Sequence, residues 1–372
     1  MNRVSTELIK DEQKFKDLRS EWGGLLKKSF TDSIFLTWEW LYSWWLAYSN
    51  EKDLNIICVR SEKNELIGIA PLFIHRAQYY RVPVVELGFL GDKASDRQDF
   101  IVDKMHPEVY EVLIGQILKA RNWDIARLEQ VPEWSALSSH EQFTKAYESE
   151  IASSLPFVNI ASDWETYLKG LPKKFRKDLR NKYNILKREG EWNFEYFTNS
   201  EDLEIELEKI FQLEMDSKKM GAGYALFADI RAQDFHKMFS KYCLENGWLN
   251  ISYLTLNGNP ISYLIGYRYN NKYLAYNIAY VPEYYRASPG KLLLHETIKH
   301  CFENNLQEFD FLRGETYIKN LWSENIRTNY RIVLFNRGLK AKLLKAFVFS
   351  IRPIIKNQLS HGCLRCLLNR KS

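Results

Sequence analysis

At 372 residues, with 45% hydrophobic and 27% charged side chains and 11 Trp, 22 Tyr and 21 Phe, the chain has the make-up of a globular protein of two average domains, not of a disordered or fibrous one. It contains no apolar run of about 18 residues and no apolar core behind its charged N-terminus, so neither a membrane-spanning helix nor a secretion signal is expected, and five cysteines fit reduced thiols in a cytoplasmic protein. The net charge of +5 conceals two basic segments in an otherwise acidic chain: Gly338–Ser372 carries eight Lys or Arg and no acid, and Lys169–Arg188 carries nine against Asp178 alone, which points to particular anionic partners.

Thr37–Tyr48 (TWEWLYSWWLAY) is apolar nearly all round and reads as a buried helix, with Trp38, Trp40, Trp44 and Trp45 either packed in a core or stacked on a sugar or acyl group. Asn55–Val59, Leu66–Ile74 and Val84–Leu90 are β-rich runs between polar turns, followed by a helix over Glu108–Ala120 and a strand over Asp124–Gln130. Residues 133–150 read as weakly helical. Leu171, Phe175, Leu179, Tyr183 and Leu186 then form a helical stripe with the basic residues on the remaining faces. The first order recurs: Leu249–Leu256, an Asn257-Gly258 hairpin signal, Pro260–Tyr269, an Asn270-Asn271 turn, Tyr273–Val281, a helix from Gly290 to about Asn304, and Phe309–Leu312. Asn329–Asn336 is a last strand. The repeat predicts an α/β chain of duplicated units: 1–160, a basic connector 161–200, 201–337, and a basic amphipathic tail 338–372.

Chemistry concentrates between Tyr273 and Lys319. Arg286-Ala-Ser-Pro-Gly290-Lys291 lies where a strand gives way to a helix, whose free N–H groups and positive dipole end suit a pyrophosphate. A parallel second strand brings Arg313, Glu315, Tyr317 and Lys319 close to that turn, so acid–base chemistry beside a phosphate-bearing ligand is expected. Alternation puts Asp310 and Leu312 on one face and Phe309 and Phe311 on the other, which leaves Asp310 either a functional carboxylate or a structural one that pairs with Arg313 or caps a turn.

Leu256-Asn-Gly-Asn-Pro-Ile-Ser262, Ala279-Tyr-Val-Pro-Glu-Tyr284, Ser288-Pro-Gly290 with Leu292–Leu294, and Phe309-Asp-Phe-Leu-Arg-Gly-Glu315 with Tyr317, Lys319 and Trp322 together resemble a known pattern. From about Phe211 to Phe335 the chain resembles the BioF2-like acetyltransferase domain of the GNAT superfamily, as in CelD/BcsL-type proteins. Ile69–Leu72, Asp96–Phe100 and Lys174–Lys187 extend the likeness to a double-GNAT plan related to FemAB-like transferases. One departure stands out: the superfamily turn Arg/Gln-x-x-Gly-x-Gly/Ala is reduced here to Arg286, Ser288, Pro289 and a single glycine, Gly290.

The resemblance implies tandem GNAT-like domains, each a mixed, mainly antiparallel sheet flanked by helices, and acyl transfer from acyl-CoA (acetyl-CoA) to an amine or hydroxyl of a small molecule or envelope polysaccharide precursor, with no metal. It implies Arg286, Ser288, Gly290 and Lys291 on the phosphates, Ala279, Tyr280 and Val281 along the pantetheine arm, Asp310 or Glu315 as base, Tyr317 as acid, and Arg313, Lys319 and Trp322 toward the acceptor. Two alternatives are FemAB-like transfer from aminoacyl-tRNA, for which the basic connector would bind tRNA, and a noncatalytic scaffold of a polysaccharide-synthesis complex. The tail suits an anionic membrane surface, giving a cytoplasmic protein peripheral to the inner face. His361-Gly-Cys363-Leu-Arg-Cys366 is one ligand pair short of the usual zinc pattern.

Overall fold

The computed structural model describes residues 4–139, 149–197, 202–314 and 316–348. The first unit runs β1 (Ser5–Ile9), α1 (Trp38–Tyr48), β2 (Lys52–Leu54), β3 (Ile56–Arg60), β4 (Leu66–Ala70), β5 (Leu72–Tyr79), β6 (Val82–Phe89), β7 (Ile101–Val102), α2 (Val109–Lys119), β8 (Ile125–Pro132) and β9 (Ser149–Asn159). The connector helix α3 (Lys173–Glu189) leads to β10 (Trp192–Tyr196), α4 (Leu203–Met215), α5 (Ile230–Glu245), β11 (Leu249–Leu256), β12 (Asn259–Tyr269), β13 (Lys272–Tyr280), α6 (Pro289–Glu303), β14 (Glu308–Asp310), β15 (Ile326–Phe335) and α7 (Leu339–Ala346). Among the described residues no helix is long and apolar enough to cross a membrane.

Each unit has the same motif: an antiparallel meander, then a helix that crosses over to a strand parallel to the last of the meander. In the first unit α2 joins the parallel pair β6 and β8, and in the second α6 joins β13 and β14. The units are fused into one eleven-stranded sheet of order β10-β11-β12-β13-β14-β9-β15-β8-β6-β5-β2, with a four-stranded sheet β1-β3-β4-β7 beside it. The fusion is an exchange. Strand β9, which ends the first unit, pairs with β14 of the second, and β15 returns from the second unit to pair with β8 of the first. The two exchanged strands pair with each other at the join. This is a tandem GNAT-like α/β architecture, with mixed, mainly antiparallel sheet flanked by helices.

The run Leu66–Ile74, expected as one strand, is two. Pro71 has no N–H for a ladder, and the chain switches there from the small sheet (β4) to the large one (β5). The stretch 133–150 is a short helix, Ala136–Ser139, with residues 140–148 outside the described residues and β9 beginning at Ser149. The Thr37 hydroxyl caps α1 by accepting from the Trp40 amide at 3.2 Å. Trp40, fully buried, meets Phe235 and Phe239 of α5 edge-on at 4.8 and 4.7 Å, so the tryptophan helix forms a core shared by both units. Helix α3 buries Phe175, Leu179 and Leu186 and leaves Lys173, Lys174, Lys177 and Arg180 exposed.

Candidate active site

Strands β13 and β14 pair only over Lys272–Leu274 and Glu308–Asp310. Past Asp310 the chain turns toward β9, where the Phe311 amide donates to the Pro156 carbonyl at 3.0 Å, while β13 stays on β12. The strands splay and leave a cleft of about 310 Å³. Its walls are Ala275–Ile278 on one side and Phe311–Arg313 on the other, with Asp96, Lys219 and Lys319 around them.

The open edge of β13 is read from its pairing. The Val281 amide donates to the Ile261 carbonyl at 2.9 Å and the Ala279 carbonyl accepts from the Ser262 hydroxyl at 2.8 Å, so these two face β12. Alternation then turns the peptide groups of Ile278 and Tyr280 toward the splay. Of the three residues expected along an acyl carrier arm, Tyr280 presents its backbone there, whereas Ala279 and Val281 face away. At the far end α6 begins with Ser288 in the left-handed region (φ 53°) and Pro289 in the first turn. The amides of Lys291 and Leu292 both point at the Ser288 carbonyl, at 3.0 and 3.3 Å, and the Lys291 ammonium bonds Asp178 of α3 at 2.7 Å. Gly290 and the exposed Arg286 lie at this helix start, and a Cβ added at Gly290 would meet Tyr280 and Ile278 at 3.6 and 3.7 Å.

Asp310 is not in the cleft. It is fully buried, its Oδ2 paired with Arg97 and lying 3.6 Å from Arg327, and its Oδ1 accepting from the Leu312 amide at 2.7 Å. That last bond holds Leu312 at φ 57°, a conformation a leucine rarely adopts, and so fixes the bend that opens the splay. Placement thus corrects the expected base into a brace. Trp322 is likewise corrected: it is fully buried, edge-on to Phe175 of α3 at 4.8 Å, and anchors the connector. Tyr317 is 78% exposed and does not line the cleft, and Glu315 lies outside the described residues.

Arg313 and Lys319 do line the cleft. The Lys319 ammonium donates to the Phe311 and Arg313 carbonyls at 2.9 Å each and to that of Leu312 at 3.4 Å, which engages all three of its protons in holding the loop. Burial lowers its pKa to about 8, against the pull of Asp96 and Asp310. Among the described residues the carboxylate on the cleft wall is Asp96, contributed by the first unit and 2.7 Å from the Arg313 guanidinium. Burial raises its pKa, with Arg313 opposing.

A further polar group is Lys219, on the short helix Lys218–Gly221 after α4. It bonds Asn277 of β13 and lies 3.2 Å from the fully buried Glu214, which accepts from Asn277 at 2.8 Å and from the Phe227 amide at 2.8 Å. Burial lowers the Lys219 pKa. Asn277 is the signal that sequence reasoning passed over: an amide within the apolar run Tyr273–Val281 needs a buried partner.

The corresponding gap in the first unit is filled. Between β6 and β8, the Gln98 amide donates to the Gln130 carbonyl and its side-chain nitrogen to the Leu90 carbonyl, both at 2.9 Å, which bridges the strands where β13 and β14 stand open.

Residues 173–320 match the family model of the acetyltransferase (GNAT) domain. Similar solved structures include FemX (11% identity, TM-score 0.59, 89% of this chain and 97% of that one) and the C-terminal domain of a putative lysylphosphatidylglycerol synthetase from Agrobacterium fabrum (14%, 0.54, 91% and 98%). A conserved protein of unknown function from Bacteroides thetaiotaomicron is similar at 12% identity and a TM-score of 0.50, over 88% of this chain and 100% of that one. At these identities the likeness is one of fold. No curated protein matches significantly in sequence. The splayed strands and the helix start beside them both lie within residues 173–320, the segment that matches the model of the acetyltransferase (GNAT) domain.

Proposed function

We propose that the protein is an acyltransferase that moves an acyl group from acyl-CoA to an amine or hydroxyl of a small acceptor, an envelope polysaccharide precursor in the reading its CelD-type resemblance favours. The observation that carries this is the splay between β13 and β14 facing the start of α6. A bound thioester would supply an activated carbonyl. The free peptide groups of Ile278 and Tyr280 receive its extended arm, and Gly290 with Arg286 receives its phosphates.

In this reading Asp96 takes the proton from the attacking acceptor, because among the described residues it is the carboxylate lining the cleft. Lys219, with Glu214 and Asn277 fixing its direction, donates to the oxygen on which negative charge develops. Lys319 and Asp310 act through the loop they hold. The new C–N or C–O bond forms as the C–S bond breaks, and the thiolate leaves along β13. The tail is assigned a membrane contact from its charge alone.

Calorimetric titration of the folded chain with acetyl- and longer acyl-CoAs tests the donor, with saturable binding expected; absence of binding to all of them would sink the proposal. One observation favours a second donor, aminoacyl-tRNA: the exposed cations of α3 adjoin the phosphate turn, where Lys182 donates to the Arg286 carbonyl at 2.7 Å. Salt-sensitive tRNA binding lost on reversing Lys173, Lys174, Arg176 and Arg180 would select it, and unchanged affinity would count against it.

A further inference from the structure

Helix α7 turns two unlike faces outward and inward. Ala341 and Leu344 are buried, Leu344 packing with Val84, Ile125 and Val333 at the end of the large sheet. On the opposite face Leu339 and Leu343, one helical turn apart, are 75% and 63% exposed. A surface helix ordinarily presents polar residues there. Here the leucine ridge is instead flanked by Lys340 on one side and Lys342 on the other.

The turn between β5 and β6 adjoins this helix, with the Tyr80 ring 6.4 Å from that of Phe347, just past α7. Its two central residues, Tyr80 and Arg81, have φ of 49° and 66°, where Asn or Gly is ordinarily found. A tyrosine, 42% exposed, and an exposed arginine are thus held at a tip where smaller residues would fold with less strain.

We propose that α7 and the β5–β6 turn form a docking face for an anionic lipid bilayer. Leu339 and Leu343 enter the interfacial zone, Tyr80 sits at its rim, and the Lys342 stem lies along the apolar layer with its ammonium group on the headgroups. Charge selects this occupant. Arg81, Arg337 and Lys342 give the face its positive charge, and Lys340 is engaged with Asp124 at 2.8 Å. Residues 349–372 carry five cations and no acid, so they add to the positive charge, and a second copy would bring the same sign. The inference stands apart from the donor chemistry, since nothing in it involves the cleft.

The test is co-sedimentation of the full chain with vesicles of phosphatidylcholine alone or mixed equally with phosphatidylglycerol. Binding is expected to the mixed vesicles only and to weaken with salt. A Leu339→Asn, Leu343→Asn double variant should lose about tenfold in partitioning per leucine at an unchanged unfolding temperature, since both side chains are already exposed. Three results would overturn the proposal: no binding to the mixed vesicles; binding untouched by the leucine substitutions but abolished by reversing Arg352, Lys356 and Arg365; or sedimentation-velocity evidence of a dimer that the double variant dissolves, without vesicle binding.

Discussion

Asp96 and Asp310 come from different units and converge on the same bend, yet their partners separate their roles. Asp310 holds Arg97 and the Leu312 amide inside the protein, so Asp310→Asn leaves a buried guanidinium without its counter-charge. A loss of about 3–5 kcal/mol in unfolding free energy is expected from denaturant titration. Asp96→Asn should instead lower kcat by about 10²- to 10⁴-fold with little change in acyl-CoA affinity. In the parent enzyme, activity should fall as pH drops through the raised pKa of Asp96, because only the ionised form accepts a proton.

A third aspartate reports on stability alone. Asp99 is fully buried, accepting from Thr31 at 2.7 Å and from Ser135 at 2.8 Å, and burial lifts its pKa from 3.8 to about 6. Between those values the folded chain holds a proton that the unfolded chain has released. Its contribution is complete below about pH 4 and is lost as pH rises through about 6, by roughly 3 kcal/mol at most. Unfolding measured across this window should flatten in Asp99→Asn.

At the scale of elements, legibility followed periodicity. The stripe Phe175, Leu179, Leu186 announced α3, and the turn pairs Asn257-Gly258 and Asn270-Asn271 fixed the β11–β12–β13 meander. Strand β9 was not legible: SEIASSLPFVN is rich in serine and carries Pro156, and what makes it a strand is pairing with β14 and β15, both distant in sequence. The site divided the same way. The turn at Gly290 and the pair Arg313 and Lys319 stood near one another in the sequence, whereas Asp96 and Lys219 reach the cleft only through tertiary packing. Helix α6 offers a test of its own start. Gly290 has neither a positive φ nor a contact tighter than van der Waals, so Gly290→Ala should fold as stably as the parent, or up to about 1 kcal/mol more so. Weakened acyl-CoA binding in that variant, measured by calorimetry, would then report a methyl group between phosphate and backbone.

For the molecule as a whole, the exchange of β9 and β15 predicts that the units fold and unfold together. A fragment ending before Ser149 lacks β9 and β15, the strands that join its sheet to that of the second unit, and one beginning after Asn159 lacks the strand beside β14. Neither is expected to show cooperative unfolding, whereas the full chain should unfold in one transition by circular dichroism and fluorescence alike. Two resolved transitions, or a cooperatively folding fragment, would contradict this coupling.

The same exchange sets a timetable during synthesis. As the chain leaves the ribosome, β8 emerges some two hundred residues before β15, the strand that will cover its edge. Over that interval the nascent first unit therefore displays an unpaired sheet edge, the kind of surface that recruits other chains. Completion of the shared sheet waits on β15, so synthesis interrupted before that strand yields not a smaller working protein but a chain with an exposed sheet edge.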